Sequence, residues 1–507
     1  MLTRAVWPSP FKLAAIALAA LYFAVMSGHL HSIDGLLIYR QGEAFAYEHS
    51  LFFSKPIWPG AAWLTSKYGI GLSLLYVPSL LLTSWLHPYI PMFGVKPYDW
   101  ALYYTDPYYA WAAAPVHVVV TVMSAYLVAL VCKELGLSRS LSLCALALYG
   151  LGSPAIIYAR GDWGQQLEGL CWITAIYGAL RFRHTGRSGA LLCGFALTYA
   201  LLTRPLEGVM ISLATLVLMV SGADIGRWPA SQWRGLIVAS MGLCAGFGVT
   251  LLVNQLRYGS SFIFGYENEG WTTPISVGLV GSTISPARGI LWEFPAVLLA
   301  PLGVQWLLQS AQRKTALLMA GLVIAQLLNV SAWMWWWGGW NFGLRLFVPA
   351  LPLLAVLAAC GLVRLPTAAR NRVLLISIGG GLLFSIPCIL TDLAAGYGDA
   401  YNGTAESLQF DGYPLLSAFK YLDRLVALGP LDRHGIDILW LRLAGETGGL
   451  SLVPMALLLL LAGGITRRLF LAQASTDRRS SPPVKLNGPE IISLPGTVAT
   501  LEEGRSR

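Results

Sequence analysis

LAAIALAALYFAVMSGHLHSIDGLLIYRQGEAF, residues 13–45, decides how this chain is read. Its first half, to Gly28, carries no charge and is nearly long enough to cross a bilayer core, which takes about 20 apolar residues as a helix. Its second half places Asp34, Arg40 and Glu43 among Ile, Leu, Tyr and Phe. A carboxylate just past the end of a membrane helix, followed by an aromatic, amphipathic run (Leu36, Leu37, Tyr39, Phe45, Tyr47), suits a helix lying in the membrane interface. The apolar half exceeds the core of a secretion signal and no A-x-A site follows it, so it reads as a retained helix.

The pattern recurs along the 507 residues. Apolar segments fall at roughly 12–28, 70–86, 110–132, 139–158, 166–182, 188–203, 205–221, 235–253, 290–308, 314–332, 345–363, 372–391 and 448–466. The chain is 56% hydrophobic and 12% charged, with a mean hydropathy of +0.61. A soluble domain carries about 25% charged residues. The expectation is an all-α, polytopic transmembrane bundle of about 12 or 13 helices, with interfacial helices in the first outer loop. It spans 1–466, with outer segments at 29–69 and 392–447, and 475–507 reads as a disordered tail.

The net charge of +9 does not point to nucleic acid, because the basic residues sit in short loops between apolar runs. CKELGLSR (132–139), RFRHTGR (181–187), RWPASQWR (227–234), QRK (312–314), VRLPTAARNR (363–372) and RR (467–468) are the basic loops. The positive-inside rule makes them cytoplasmic. The long aromatic loops 29–69, 87–109, 254–289, 333–344 and 392–447 then face outward. This scheme cannot let both 70–86 and 110–132 cross, so either 70–86 re-enters or lies along the interface, or the charge rule fails for one loop. The seven cysteines lie in or beside apolar segments with no C-x-x-C pair, and read as buried small hydrophobes.

Several polar clusters stand out in the outward loops. Asp34 suits a general base for a hydroxyl, though Ser32 or Asp34 is also an ordinary helix N-cap. Lys67 in TSKYGIG suits a phosphate at the membrane surface, or a snorkelling anchor. YARGDWGQQLEG (158–169) packs Arg160, Asp162 and Gln166 together, as a second polar wall or as a local ion pair at a turn. Glu267, Glu269 and Arg288 are placed to meet a sugar or phosphate, or to sit in a solvated loop. WMWWWGGWNFGLR (333–345) holds five tryptophans, among them Trp337 and Trp340, before Arg345. These make an aromatic belt, a sugar platform, or both, with the planar Arg345 fork suited to phosphate. H-E-x-x-H, G-x-x-x-x-G-K-[ST], G-x-S-x-G and G-x-G-x-x-G are absent from the sequence, which argues against a zinc protease and a nucleotide-driven pump.

This order of parts resembles the GT-C class of membrane glycosyltransferases, in particular the protein O-mannosyltransferase and lipid A aminoarabinose transferase relatives, over residues 10–465. The resemblance rests on Asp34 after the first helix, Lys67 in SKYGIG, the aromatic outer loops, SPARG, and Gly343-x-Arg345 in FGLR. It implies a polyprenyl-phosphate-linked sugar donor in the membrane lipid, transfer on the outer face of a bacterial plasma membrane, and inversion at the sugar. It implies Asp34 as the base that deprotonates an acceptor hydroxyl, with Lys67 and Arg345 holding the donor phosphate. The acceptor, whether protein, glycan or lipid, stays open. Many relatives have an acidic pair where this chain has Asp34-Gly35, and Gln166 falls at the second acidic position, so a divalent metal is in doubt. No large soluble domain follows the last helix. The alternative is a transporter or flippase of a lipid-linked sugar, which calls for paired charges deep in the helices; Arg204 and Glu207 are the main candidates.

Overall fold

The computed structural model describes residues 9–54, 64–86, 88, 109–221, 228–266, 268–339, 341–390, 400–420, 437–444 and 447–480. No strand occurs among the described residues. The longer helices are α1 (Pro10–Ala24), α2 (Ile33–Glu43), α3 (Gly71–Leu86), α4 (Ala114–Glu134), α5 (Arg139–Gly150), α6 (Gln165–Thr185), α7 (Arg187–Thr203), α8 (Pro205–Val220), α9 (Ala230–Tyr258), α10 (Ile275–Ile284), α11 (Ala300–Leu308), α12 (Arg313–Ala332), α13 (Leu351–Leu362), α14 (Thr367–Leu390) and α15 (Leu452–Ser480). Among the described residues, six helical spans are long and apolar enough to cross a membrane, and six shorter apolar helices accompany them. Together with the composition, this makes the chain an integral membrane protein built as a helical bundle.

The expected segments map onto helices, with local differences. Segment 139–158 is broken after Gly150, and 290–308 is divided into Ile290–Glu293, a 3-10 turn Pro295–Leu299, and α11. Pro154, Pro295 and Pro301 fall at these junctions, where a missing N–H costs little. Inside the expected loop 254–289, α10 forms a further helix. Helix α15 continues to Ser480, into the start of the segment read as a tail.

The bundle is centred on α13. The span Arg345–Leu362 is 94% buried, against 6% for Leu452–Leu469 of α15, which therefore lies at the rim. Helices α6, α7 and α9 pack side by side, and α13 packs against α4, α5 and α11. The basic loops collect at one end. There Arg181 at the end of α6 pairs with Glu134 at the end of α4, 3.3 Å apart.

Helix α2 buries more than an interfacial run requires. Gly35 to Tyr39 and Gln41 to Glu43 are all buried. The reason is α3, which lies alongside it. The Ser73 hydroxyl donates to the Ile38 carbonyl, and Tyr47 donates to the Leu80 carbonyl. Segment 71–86 thus packs alongside α2, and Pro78 lies inside it.

Candidate active site

Ser32 caps α2: its backbone is extended and its Oγ accepts from the Gly35 N–H at 2.9 Å. The cap is therefore Ser32, and the Asp34 carboxylate in the first turn is left for other partners. It faces a cavity of about 750 Å³ whose lining includes Lys67, Tyr68, Arg204, Tyr266, Glu269 and Arg345. The cavity draws on the start of α2, the approach to α3, the α7–α8 junction, the end of α9, the loop before α10, and the loop before α13.

Three ion pairs line it. Arg345 Nη1 donates to Asp34 Oδ2 at 2.7 Å. Lys67 Nζ donates to Glu269 Oε1 at 2.7 Å and lies over the rings of Tyr68 and Tyr266. Arg204 pairs with Glu207 at 2.7 Å. The chain breaks at Arg204 and restarts with Pro205 as the first residue of α8, so this pair sits at a helix junction and not deep within one helix. Burial alone would raise the Asp34 carboxyl; the Arg345 guanidinium, a hydrogen bond from Tyr68 and the charge of Lys67 outweigh it and hold the group below the usual carboxylate range. Burial, then the neighbouring Asp34 charge, push the Tyr68 hydroxyl well up, so it stays protonated and donates a hydrogen bond to Asp34 at neutral pH.

The loop that presents Arg345 is built by three residues. Gly343 has φ +63°, and a Cβ there would lie 2.5 Å from Glu293 Oε1. Glu293 accepts from the Leu344 N–H. Arg288, fully buried, donates to the carbonyls of Gly339, Asn341, Gly343 and Tyr401. Arg288 is therefore a clamp on the 339–343 backbone, which corrects its expected role as a sugar or phosphate contact: its guanidinium is engaged in the interior.

The expected second polar wall does not line the cavity. Arg160 is buried and donates to the carbonyls of Val25, Cys388 and Asp437, and pairs with the Asp437 carboxylate at 2.9 Å. Gln166 donates to the Tyr158 carbonyl. Asp162 is fully buried and accepts from the His31 N–H at 2.7 Å, the Ser32 N–H at 3.0 Å and the Ser32 hydroxyl at 3.0 Å. Asp162 thus fastens the approach to α2, while Arg160 and Gln166 are engaged by interior carbonyls. A Cβ on Gly35 would meet the Asp162 carboxyl at 2.1 Å, so Asp162 fills the space that a side chain at position 35 would need. Burial pushes its carboxyl up to about 6, against the opposing His31 and Ser32 hydrogen bonds. Trp337 donates to Asn402 at 2.8 Å and is not among the lining residues; Trp333 and Trp335 are. Glu267 and Trp340 lie outside the described residues.

The sequence alone does not single out Tyr68, Tyr266, Trp163 and Arg257. Tyr68 carries a signal, since it follows Lys67 directly in SKYGIG. The others come from distant segments with nothing local to mark them.

A divalent cation does not fit beside Asp34. The neighbours are two cations, and the next carboxylate, Asp162, has both oxygens engaged by α2. His29, His31 and Asp437 do bring three ligand atoms within 4.8 Å of one another. Asp437, however, already bridges His29 at 2.6 Å and Arg160, whose fixed positive charge opposes a metal.

Fold and site together define a helical membrane protein with an aromatic, ion-paired cavity at one end. In structure the chain is similar to ArnT from Cupriavidus metallidurans in the apo state, with a TM-score of 0.48 and 16% identity over 90% of this chain and 75% of that one. It is also similar to the same ArnT bound to undecaprenyl phosphate, with a TM-score of 0.46 and 15% identity over 93% and 81%. A third similar structure is the Archaeoglobus fulgidus oligosaccharyltransferase in the apo form, with a TM-score of 0.44 and 12% identity over 79% and 56%. No protein-family model and no curated protein matches the sequence.

Proposed function

We propose that this protein is a membrane glycosyltransferase that moves a sugar from a polyprenyl-phosphate donor to an acceptor hydroxyl, on the outer face of a bacterial plasma membrane. The observation that carries the reading is the convergence on one cavity of Asp34 and Lys67, from the first outer loop, with Arg345, which lies 311 residues after Asp34 in sequence. The same three residues support the resemblance to GT-C glycosyltransferases. Lys67 and Arg345 hold the donor phosphate, as a point charge and a planar fork. The acceptor oxygen attacks the anomeric carbon, the bond from that carbon to the phosphate oxygen breaks, and polyprenyl phosphate leaves. The hydroxyl proton passes to Asp34. Attack opposite the leaving group inverts the sugar. Cations around the phosphate stabilise the charge that develops there. The aromatic faces of Trp333, Trp335 and Tyr266 give the sugar and the first isoprene units an apolar wall.

A flippase reading would look for charges buried midway along helices. The Arg204–Glu207 pair stands at the α7–α8 junction, so it does not favour that reading.

The test is reconstitution in liposomes with a panel of labelled polyprenyl-phosphate sugars and a membrane extract as acceptor. Release of polyprenyl phosphate should fall roughly 10²–10⁴-fold in Asp34→Asn, the usual worth of a general base. Equal release by wild type and variant removes Asp34 from the base's role. Movement of labelled lipid between leaflets without sugar transfer replaces the transferase with the flippase.

A further inference from the structure

One guanidinium in the cavity is asked to serve two anions. Arg345 is 13% exposed and its Nη1 is on Asp34, whose side chain is 29% exposed. Its Nε is buried and has no hydrogen-bond partner. Asp34 takes a hydrogen bond from Arg345 and another from Tyr68, and feels the charge of Lys67. Tyr266 faces the same carboxylate, Asp162 lies behind it, and Arg40 on its own helix is already paired with Glu43. A carboxylate so placed is a poor proton acceptor, because its charged form is stabilised. Yet the phosphate of a prenyl phosphodiester, once in the cavity, meets the same guanidinium and can bind it through two oxygens, where Asp34 uses one.

We propose that donor phosphate displaces Asp34 from Arg345, so that donor binding itself releases the base. The inference rests on the functional reading above. Before donor binds, the Asp34–Arg345 pair keeps the carboxylate quiet. With phosphate on Arg345 and Lys67, Asp34 loses its nearest cation and gains a neighbouring negative charge, and its affinity for a proton rises. The base is then strong only when there is a sugar to transfer. After transfer, departure of the lipid phosphate returns Arg345 to Asp34 and expels the proton taken from the acceptor. Lys67 has its own partner in Glu269, so before donor binds it does not compete for Asp34.

The experiment uses a short-chain prenyl methyl phosphodiester as probe, because its single acidic proton is lost well below pH 4 and all proton exchange then belongs to the protein. Calorimetric titration of the full-length protein in detergent, in buffers of different ionisation enthalpy, reads both affinity and protons exchanged. Wild type is expected to take up protons on binding between about pH 4 and 6, the range above the ordinary carboxylate value. Asp34→Asn is expected to take up none, and to bind the probe up to about fivefold more tightly, since an ion pair of this exposure no longer competes for Arg345. Binding without proton uptake, or with equal or weaker affinity in Asp34→Asn, overturns the exchange while leaving the phosphate site in place. The wild-type proton count stands even where the variant is poorly folded. Absence of probe binding by wild type overturns the phosphate site, and the exchange with it.

Discussion

Asp34 and Asp162 are carboxylates on either side of one helix start, with opposite surroundings. Asp34 lies among cations at the cavity edge, and its proton affinity is lowered. Asp162 lies in the interior against Gly35 and is raised from 3.8 to about 6. The sign of its effect on stability follows. Between those two values the folded protein holds the proton that the unfolded chain has lost. Stability therefore falls as pH rises from about 4 to about 6 and is flat above, the reverse of a salt-bridged aspartate. At 1.36 kcal/mol per pH unit the difference is roughly 3 kcal/mol. Asp162→Asn cannot titrate. Melting temperatures in detergent at pH 4.5 and 7.5 should show wild type losing more than the variant over that interval. Parallel losses would mean that Asp162 titrates as an ordinary carboxyl.

At the scale of elements, the short loop 339–343 controls where Arg345 points. Two of its glycines separate the backbone requirement from the packing requirement. Gly339 has φ +72° with nothing within 4 Å of where a Cβ would lie, whereas Gly343 has φ +63° with the Glu293 carboxyl 2.5 Å from that position. Alanine at either position costs about 1–2 kcal/mol for the left-handed backbone. Only Gly343→Ala also pushes against Glu293, adding about 1–3 kcal/mol. Gly343→Ala should therefore lower the melting temperature more than Gly339→Ala and weaken binding of a prenyl phosphodiester, because Arg345 follows two residues later. Equal effects in both variants would place the cause in the backbone alone. The same loop shows what sequence reading can reach. Gly343-x-Arg345 is legible as a motif, and Asp34 and Lys67 are legible because each stands alone at an apolar segment's end. Arg160 and Arg288 look just as free in the sequence, and only tertiary contacts show that carbonyls from several segments occupy them. Tyr266 and Arg204 join the cavity through packing across the bundle, for which no local pattern exists.

Across the whole molecule, the cavity and the basic loops occupy opposite helix ends. Helix α6 starts at Gln165, which lines the cavity, and ends beside Arg181 and the 181–187 loop. Helix α7 leaves that loop and returns to Thr203 at the cavity. Helix α9 runs from the 227–234 loop to Asn254 and Arg257 at the cavity, and α12 from Arg313 to Asn329 and Val330. The span Arg345–Leu362 goes back from the cavity toward 363–372. Loop charge alone predicts this alternation for these helices. If the basic end is cytoplasmic, the cavity faces outward. Thr272 and His184 are exposed at the two ends, and Cys244 is the one exposed native cysteine among the described residues. In a Cys244→Ser background, an impermeant maleimide applied to intact cells should label Thr272→Cys and leave His184→Cys untouched until the cells are permeabilised. Labelling of His184→Cys alone in intact cells would invert the molecule, and the donor lipid would then have to present its sugar from the cytoplasmic leaflet.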